Sequence, residues 1–277
     1  MDLLQVIVLS LIQGLTEFLP VSSSAHLILP SRLLGWEDQG VAFDVACHVG
    51  TLAAVVLFYR KRLAAMIRDW FVSLKTRQQS SDSRLAWHIV LVTVPVCLAG
   101  LVLHGAIEDI FREHAELTIA IATIVFGLLL WVADRFGRAC DPGRRIALNS
   151  MPLWIALAVG LSQIMAFVPG TSRSGITITV ALFLGLSRRD AADYSFLLSI
   201  PIIAAAGSYE LMKIIAGKAA GAASFGDAAV GIVLSFVSAY VVIRLFIRFI
   251  SNMGMTPFVI YRILLGCALL AIVFSQA

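Results

Sequence analysis

Six stretches of this chain are each long and apolar enough to be a membrane crossing, and this feature constrains the fold most strongly. About 20 consecutive apolar residues cross a bilayer as a helix, which pairs its own backbone groups in hydrocarbon. The chain is 60% hydrophobic and only 14% charged, whereas soluble domains carry about 25% charged residues. We therefore expect an all-α polytopic membrane protein with six full spans, at residues 41–59, 85–104, 117–133, 192–213, 227–247 and 257–275.

Basic residues gather on one side of these expected spans. Most of the 21 lysines and arginines are found at 60–84, 134–149, Arg188, Arg189, Arg244 and Arg248. Cytoplasmic loops are enriched in Lys and Arg, so this side is predicted to face the cytoplasm, with both termini outward. The positive charge is then a signal of topology, and no nucleic-acid partner is expected. The longest loop, 75–84, is predicted to be a surface linker.

Residues 3–35 and 151–186 are apolar but interrupted by proline and by clusters of serine and threonine. Proline ends a helix because it lacks a backbone donor, and serine caps the helix that follows. We predict that each segment is a re-entrant helix–loop–helix that returns to the side it entered from. Three spans follow each hairpin, so the halves 1–140 and 141–277 are predicted to form an inverted-topology repeat within one membrane domain. Such repeats place their binding site near the membrane midplane.

The two hairpins also resemble each other in sequence. Residues 18–20 (Phe-Leu-Pro) match 167–169 (Phe-Val-Pro), and the serines 22–24 match 171–173 (Thr-Ser-Arg). In this alignment Gln13 and Gln163 are out of register by one residue. The match favours two related loops that meet inside the protein.

The first loop carries a carboxylate at a depth where charge is costly. Gln13 and Glu17 are four residues apart and share one face of a helix, and Glu17 lies about 21 Å along a helix that begins near Leu3. A carboxylate within the membrane faces a partner or water. Glu17 is therefore interpreted as a ligand of a hard cation, as a base, or as the structural partner of an arginine.

Hydroxyl and imidazole groups follow Glu17 directly, at Ser22, Ser23, Ser24 and His26. A serine attacks as a nucleophile once a base takes its proton, and histidine is the usual base near neutral pH. Two interpretations remain open from this loop alone. The serines and the histidine react with substrate, or the serines cap a helix and the histidine is satisfied at an interface.

The second loop predicts an anion site more sharply. Its sequence from residue 169 to 175 is Pro-Gly-Thr-Ser-Arg-Ser-Gly, and its candidate phosphate contacts are Gly170, Thr171, Ser172, Arg173 and Ser174. Glycine lets backbone approach an anion, hydroxyls and a helix N-terminus offer donors, and arginine grips phosphate with a planar fork. The alternative is that Arg173 forms a structural ion pair with Glu17.

Three further polar residues fall in expected spans. Asp44 and His48 are four apart at the start of a span, where they either support the site from behind or mark the membrane interface. Arg262 is expected to contact an anion or to form a packing ion pair.

Together these groups supply what phosphoryl transfer needs: a nucleophile or oriented water, charge neutralisation and donors for the phosphate oxygens. A site within reach of lipid favours an amphiphilic substrate with a phosphate head and an apolar tail. At this point the sequence resembles the undecaprenyl-diphosphate phosphatase family, also called the bacitracin-resistance protein family. Three stretches carry the resemblance, at residues 13–26, 43–52 and 169–175.

The resemblance implies a hydrolase of the bacterial plasma (inner) membrane that converts undecaprenyl diphosphate to the monophosphate. This recycles the lipid carrier for peptidoglycan synthesis and confers bacitracin resistance. It also implies a divalent cation, Mg²⁺ or Ca²⁺, and a site that opens to the periplasm. Glu17 and Gln13 would bind the cation, Ser23 would be the nucleophile with His26 as its acid–base partner, and Ser24 with residues 170–174 would hold the diphosphate.

One departure from the family pattern is Gln13, where many members have glutamate. Glutamine cannot ionise, so Glu17 is the only carboxylate of the motif, and a two-carboxylate metal site requires Asp44 as well. The nucleophile is left open among Ser23, His26 and a metal-bound water, and a homodimer is also left open. A secondary transporter or flippase of a phosphorylated lipid is the alternative function, because inverted repeats with broken helices are typical of transporters.

Overall fold

The computed structural model describes residues 2–36, 39–112, 115–139, 145–217 and 224–276. Within these ranges the chain is helical and forms no β-sheet, which confirms the all-α class. The α-helices of the described residues are α1 (Leu3–Thr16), α2 (Ser23–Leu34), α3 (Val41–Thr76), α4 (Ser81–Arg112), α5 (Ala115–Ala139), α6 (Leu153–Leu161), α7 (Arg173–Phe183), α8 (Arg188–Ile215), α9 (Phe225–Met253) and α10 (Thr256–Gln276). A 3₁₀ helix, Ser162–Phe167, continues α6.

Six of the described helices, α3, α4, α5, α8, α9 and α10, are long and apolar enough to cross a membrane. They contain the six expected spans, so the chain is a multi-pass membrane protein. The helices extend beyond the apolar stretches, most of all in α3, which has 36 residues. The prediction of a surface linker over 75–84 was therefore wrong, because α3 continues to Thr76, α4 begins at Ser81 and only 77–80 lie between them.

Two pairs of shorter helices correspond to the interrupted segments. Helix α1 has 14 residues and α2 has 12, and a 14-residue helix is about 21 Å long, less than the roughly 30 Å of the hydrocarbon core. Helix α6 with its 3₁₀ extension precedes the 11-residue α7 in the same way. Both breaks fall at the loops that the sequence predicts, after Thr16 and after Phe167.

The two loops end in the same unusual backbone conformation. Ser22 precedes α2 with φ 74° and ψ 102°, and Ser172 precedes α7 with φ 69° and ψ 114°. Ser22 therefore corresponds to Ser172, so the alignment of the serine clusters from sequence was wrong by one residue. With Ser22 aligned to Ser172, Gln13 is also aligned to Gln163. The one-residue mismatch then falls at the prolines, Pro20 and Pro169.

Helix α9 packs closely against both α1 and α3. A Cβ atom at Gly14 would lie 2.6 Å from the carbonyl oxygen of Ser235, and one at Gly50 would lie 2.3 Å from that of Ile232. The Ser235 hydroxyl also donates to the carbonyl of Cys47, at 2.9 Å. Helix α1 carries the start of the first motif, and α3 carries Asp44 and His48. These contacts hold both helices against α9.

Candidate phosphoryl-transfer site

Glu17 is the centre of the site, and two motif residues bind its carboxylate. Oε1 accepts a hydrogen bond from Arg173 Nη2 at 3.0 Å, and Oε2 accepts one from Gln13 Nε2 at 2.9 Å. The Glu17 side chain is 9% exposed and that of Arg173 is 17% exposed. Gln13 and Glu17 meet because they are one turn apart on α1 and its C-cap. The structural ion pair that the sequence offers as an alternative is therefore present.

Arg173 has more donors than its ion pair uses. Its Nη1 atom is buried and has no hydrogen-bond partner among the described residues. Arginine presents five N–H donors in a fixed fork, so this nitrogen is directed at a position that an acceptor oxygen would fill. The ion pair with Glu17 holds the guanidinium in place and leaves one side of the fork available.

Ser23 approaches the same carboxylate from the end of the first loop, to which Glu17 itself belongs. Its Oγ atom lies 3.5 Å from Glu17 Oε2. Ser23 is the first residue of α2, and Arg173 is the first residue of α7. The two residues thus occupy corresponding positions after Ser22 and Ser172, and they contact different oxygens of one carboxylate.

His26 has a different environment from the one expected. Its Nδ1–H donates to the carbonyl of Ser22 at 2.7 Å, and the hydroxyl of Tyr261 donates to Nε2 at 2.6 Å. Both ring nitrogens are therefore engaged, and neither partner is the Ser23 hydroxyl. The pairing of His26 with Ser23 as base and nucleophile does not occur in this structure, because α2 turns the ring toward α10. The group within reach of Ser23 is Glu17.

His48 lies at the site. From its sequence position alone, it could either support the site from behind or mark the membrane interface. Its Nε2 atom is 3.3 Å from Gln13 Nε2 and 3.9 Å from Glu17 Oε2. The spacing of His48 from Asp44 was the only signal available. The structure uses that spacing through the backbone, since His48 Nδ1–H donates to the carbonyl of Asp44 at 2.8 Å. The Asp44 carboxylate accepts a hydrogen bond from Gln39 Nε2 at 2.9 Å.

The second loop is held against the first by its hydroxyls. Ser174 Oγ donates to the carbonyl of Leu19 at 2.8 Å, which joins the two loops directly. Ser172 Oγ accepts from the N–H of Gly175 at 3.2 Å and so caps α7. These two serines therefore have structural partners. The side chain of Ser24 lies outside the described residues.

Gly170 packs against α5, whereas the sequence favoured a close approach to an anion. It has φ 93°, and a Cβ atom there would lie 2.5 Å from the carbonyl oxygen of Ile119. Its neighbour Thr171 is fully buried, and Thr171 Oγ1 has no hydrogen-bond partner among the described residues. Glycine is thus required at 170 for packing, while the hydroxyl at 171 remains available to a ligand.

Arg262 forms no ion pair among the described residues and binds the backbone instead. It is 0% exposed, and its guanidinium donates to backbone carbonyls only. The acceptors are the carbonyls of Pro20, Ala122, Thr123, Gly170 and Thr171, at 3.0–3.5 Å. One arginine of α10 therefore ties the first loop, the second loop and α5 together, and the contact of Arg262 with an anion stays a prediction.

Unpartnered buried polar atoms concentrate in the two interrupted segments, 3–35 and 151–186. Of the seven such side-chain atoms among the described residues, four belong to Gln13, Gln163, Thr171 and Arg173. A buried polar atom without a partner costs about 1–3 kcal/mol, so a group of them indicates a place where a ligand supplies the missing partners. The arrangement offers one carboxylate, one hydroxyl beside it, and one arginine and one threonine with spare donors.

Comparison with known proteins agrees with this geometry. The family model described as bacitracin resistance protein BacA matches residues 6–268. The chain belongs to the bacitracin resistance protein BacA family. The match covers both loops, α3 with His48, and α10 with Arg262, so the whole site lies within the BacA region.

Relatives of this BacA-family chain are similar over nearly their full length. It is 52% identical over 274 residues to "Undecaprenyl-diphosphatase" of Saccharophagus degradans, with 99% of each chain covered. It is 51% identical over 272 residues to "Undecaprenyl-diphosphatase 2" of Stutzerimonas stutzeri, with 98% of each covered. It is also 51% identical over 270 residues to "Undecaprenyl-diphosphatase" of Chromohalobacter salexigens, with 98% of each covered.

Proposed function

We propose that this protein is an undecaprenyl-diphosphatase. It removes the terminal phosphate of undecaprenyl diphosphate, which returns the lipid carrier to peptidoglycan synthesis and confers bacitracin resistance. The relatives of about 50% identity support the activity by their names. The observation that carries the proposal is the Arg173 guanidinium, which is held by Glu17 and has a buried Nη1 with no partner among the described residues.

The diphosphate head is bound by the second loop. Arg173 Nη1 and Thr171 Oγ1 are both buried and unpartnered, so they are ready donors for phosphate oxygens. Hydrogen bonds between arginine and phosphate are charge-assisted and about twice as strong as neutral ones. Helices α2 and α7 begin at this place, and their N-termini carry the positive end of the helix dipole. The loop therefore neutralises the charge that the diphosphate brings into the membrane.

Ser23 is the nucleophile in this proposal, with Glu17 as the acceptor of its proton. Ser23 Oγ bonds to the terminal phosphorus, and the bond from that phosphorus to the bridging oxygen breaks. Undecaprenyl phosphate leaves with the bridging oxygen, while the serine proton passes to Glu17. Water then hydrolyses the phosphoserine, which restores the hydroxyl and releases inorganic phosphate. The 3.5 Å distance between Ser23 Oγ and Glu17 Oε2 permits this proton transfer, since catalytic hydrogen bonds often shorten only when substrate binds.

A divalent cation fits the residues beside Glu17. Mg²⁺ is usually held by one or two carboxylates together with substrate phosphates, and Glu17 is such a carboxylate. Gln13 is 2% exposed and its Oε1 atom has no partner among the described residues, which makes it a second oxygen ligand. Bound Mg²⁺ or Ca²⁺ would supply neutralisation of the charge on the diphosphate.

An apolar cavity supports a lipid as the substrate. It has a volume of about 460 Å³, lies between α4, the 3₁₀ helix and α8, and is lined by residues that include Val96, Phe167 and Ile202. Phe167 directly precedes the second loop. A prenyl chain bound in this cavity would keep its tail in an apolar environment while the head reaches Arg173.

The two short helix pairs are re-entrant hairpins of an inverted repeat in this proposal, with halves at 1–140 and 141–277. The shared N-cap conformation of Ser22 and Ser172 supports the repeat. The basic residues of 60–84 and 134–149 support a cytoplasmic position for those segments in the bacterial inner membrane. Both termini then face the periplasm, and the resemblance to the bacitracin-resistance family implies that the site opens to the same side.

Phosphate release from a C15 or C55 prenyl diphosphate, by the purified full-length protein in detergent, tests the function. Arg173→Ala removes a clamp on transition-state charge, so the rate should fall about 10²- to 10³-fold. Ser23→Ala should lower it at least about a hundredfold, since it removes the nucleophile. Ser23→Ala should keep the melting temperature of the wild type within a few degrees, because it removes only one hydroxyl. Arg173→Ala also leaves the nearly buried Glu17 carboxylate without its arginine, so it should melt lower, and its rate is measured at a temperature where it remains folded.

Arg248→Ala is the matched control, since its guanidinium lies over the exposed ring of Phe249 on α9. It should retain full activity. A wild-type protein that releases no phosphate but moves the lipid across sealed vesicles would instead be a transporter. Activity retained in Arg173→Ala would reject the role of Arg173 in binding the phosphate. Activity retained in Ser23→Ala would show that water, and not Ser23, attacks the phosphorus.

A further inference from the structure

His48 is oriented in the way that metal-binding histidines are. Its Nδ1–H donates to the carbonyl of Asp44 at 2.8 Å, which leaves the lone pair on Nε2 when the ring is neutral. Histidines that bind metals almost always donate their other ring N–H to a carbonyl, a carboxylate or water. The lone pair of His48 is therefore fixed in direction by the backbone of its own helix, and the side chain is 38% exposed.

The Nε2 lone pair faces the residues assigned to the cation. It lies 3.3 Å from Gln13 Nε2 and 3.9 Å from Glu17 Oε2. Gln13 Nε2 also donates to Glu17 Oε2 at 2.9 Å. One amide N–H₂ group therefore stands between two acceptors, a carboxylate oxygen and an imidazole nitrogen.

The other end of the same amide is unsatisfied. Gln13 Oε1 is buried without a partner among the described residues, although Gln13 itself is 2% exposed. A half-turn of the amide exchanges its nitrogen and oxygen, and three acceptors would then face one another. Three converging acceptors repel unless a cation joins them. Without a cation, the amide nitrogen faces the two acceptors. With a cation bound, the flipped amide would present its oxygen to the cation instead.

We propose that His48 Nε2 is a third protein ligand of the divalent cation, beside Glu17 and Gln13. This inference rests on the proposed function, which assigns the cation to those two residues. Among the described residues no group of three or more His, Cys, Asp and Glu converges, so the amide oxygen and the substrate phosphate complete the set. An imidazole ligand favours transition metals over Ca²⁺, which prefers oxygen.

Mn²⁺ bound to the full-length protein in detergent tests the proposal, because electron spin-echo spectroscopy detects a directly bound nitrogen through its ¹⁴N coupling. The wild type should show one histidine coupling. His48→Gln should abolish it and weaken Mn²⁺ binding about tenfold or more, as loss of groups at a metal site does. His88→Gln is the control, since His88 is a histidine of α4 and is not among the residues of the proposed cation site; it should keep the coupling.

Absence of ¹⁴N coupling in the wild-type Mn²⁺ complex, or its persistence in His48→Gln, would overturn the proposal. Loss of the coupling in His26→Gln would overturn it as well, since another histidine would then be the ligand. Phosphate release is measured on the same wild-type sample. Normal release without ¹⁴N coupling rejects only the role of His48, whereas no release with any cation rejects the proposed function.

Discussion

Arg262 shows how a buried charge is accommodated at the level of one residue. Its guanidinium has no carboxylate partner among the described residues and is surrounded by five backbone carbonyls. Carbonyls at interrupted helices lack the partners that a continuous helix provides, and within a membrane water does not replace them. One planar fork therefore satisfies groups of both loops at once, which lysine with its single nitrogen does not do.

Replacing Arg262 by methionine should destabilise the protein by about 3 kcal/mol or more, since each buried acceptor left unpaired costs about 1–3 kcal/mol. Arg262→Lys should be only partly better, because one ammonium does not reach carbonyls of both loops. Thermal unfolding in detergent measures the loss of stability, and phosphate release measures the effect on the two loops that Arg262 joins. Arg244→Met, at an exposed position of α9, serves as the control; wild-type melting in Arg262→Met would contradict this role.

At the level of elements, α9 holds α1 and α3 through a face of small residues. Gly231, Ser235, Ser238 and Ala239 are all buried on this helix. Opposite them, Gly14 and Gly50 leave no space for a side chain. Small residues let helix backbones approach closely, which is the usual basis of helix packing in membranes. The positions of Glu17 and His48 relative to each other depend on this packing.

Gly50→Ala should therefore cost about 1–3 kcal/mol, the usual effect of adding a methyl group to a packed interior. The new Cβ would meet the backbone of Ile232 at 2.3 Å, so α3 must move away from α9. Thermal unfolding measures the loss, and reduced phosphate release would report the displacement of His48.

Gly207→Ala is the internal comparison for Gly50→Ala. Gly207 is within α8 and has nothing within 4 Å of its Cβ position. Alanine is the better helix former by about 1 kcal/mol, so this variant should melt at or above the wild-type temperature. Equal melting of both alanine variants would show that close α3–α9 contact does not contribute to stability.

At the scale of the whole molecule, the charge distribution and the short helices combine into one proposed topology. With the basic segments in the cytoplasm, α3 runs inward, α4 outward and α5 inward. The first hairpin then begins and ends on the periplasmic side, and the second begins and ends on the cytoplasmic side. In this proposed topology the two loops enter from opposite faces and meet within the membrane, which agrees with the contact of Ser174 with Leu19.

Cysteine labelling with a membrane-impermeant maleimide checks this topology. In a cysteine-free background, Asp2→Cys and Leu34→Cys should both react from the periplasmic side, because these exposed positions flank a re-entrant hairpin. Gln79→Cys, in the exposed segment between α3 and α4, should react only after the inner membrane is opened. Labelling of positions 2 and 34 from opposite sides would show that 3–35 crosses the membrane.

Much of the architecture could be predicted from sequence because lipid imposes strong local rules. The length and hydropathy of six stretches determine six helices, since hydrocarbon leaves a backbone few alternatives. The helix ends were less accurate: Arg60, Lys61 and Arg62 end the apolar stretch, yet they lie within α3. A basic residue ends burial in lipid, but it does not end a helix, because Lys and Arg are good helix formers.

The candidate site was predictable as a list of residues and much less so as a set of contacts. Gln13 and Glu17 were expected on one helix face, and they are hydrogen-bonded. His26 was expected to contact Ser23, yet both of its ring nitrogens have other partners. The partner Tyr261 lies 235 residues away along the chain, and no local pattern indicates such a contact.

The sequence by itself determined the membrane class, the six helical spans, the two interrupted loops and the chemical groups that the loops carry. These follow from rules that act over one helix turn or one membrane thickness. Only the tertiary structure decided that Arg173 and Ser23 share Glu17, that His48 joins them, and that Arg262 binds carbonyls. Each of the long-range contacts among them depends on how α1, α3, α7 and α10 pack, and packing depends on the fit of surfaces from distant parts of the chain, which no local sequence pattern reveals.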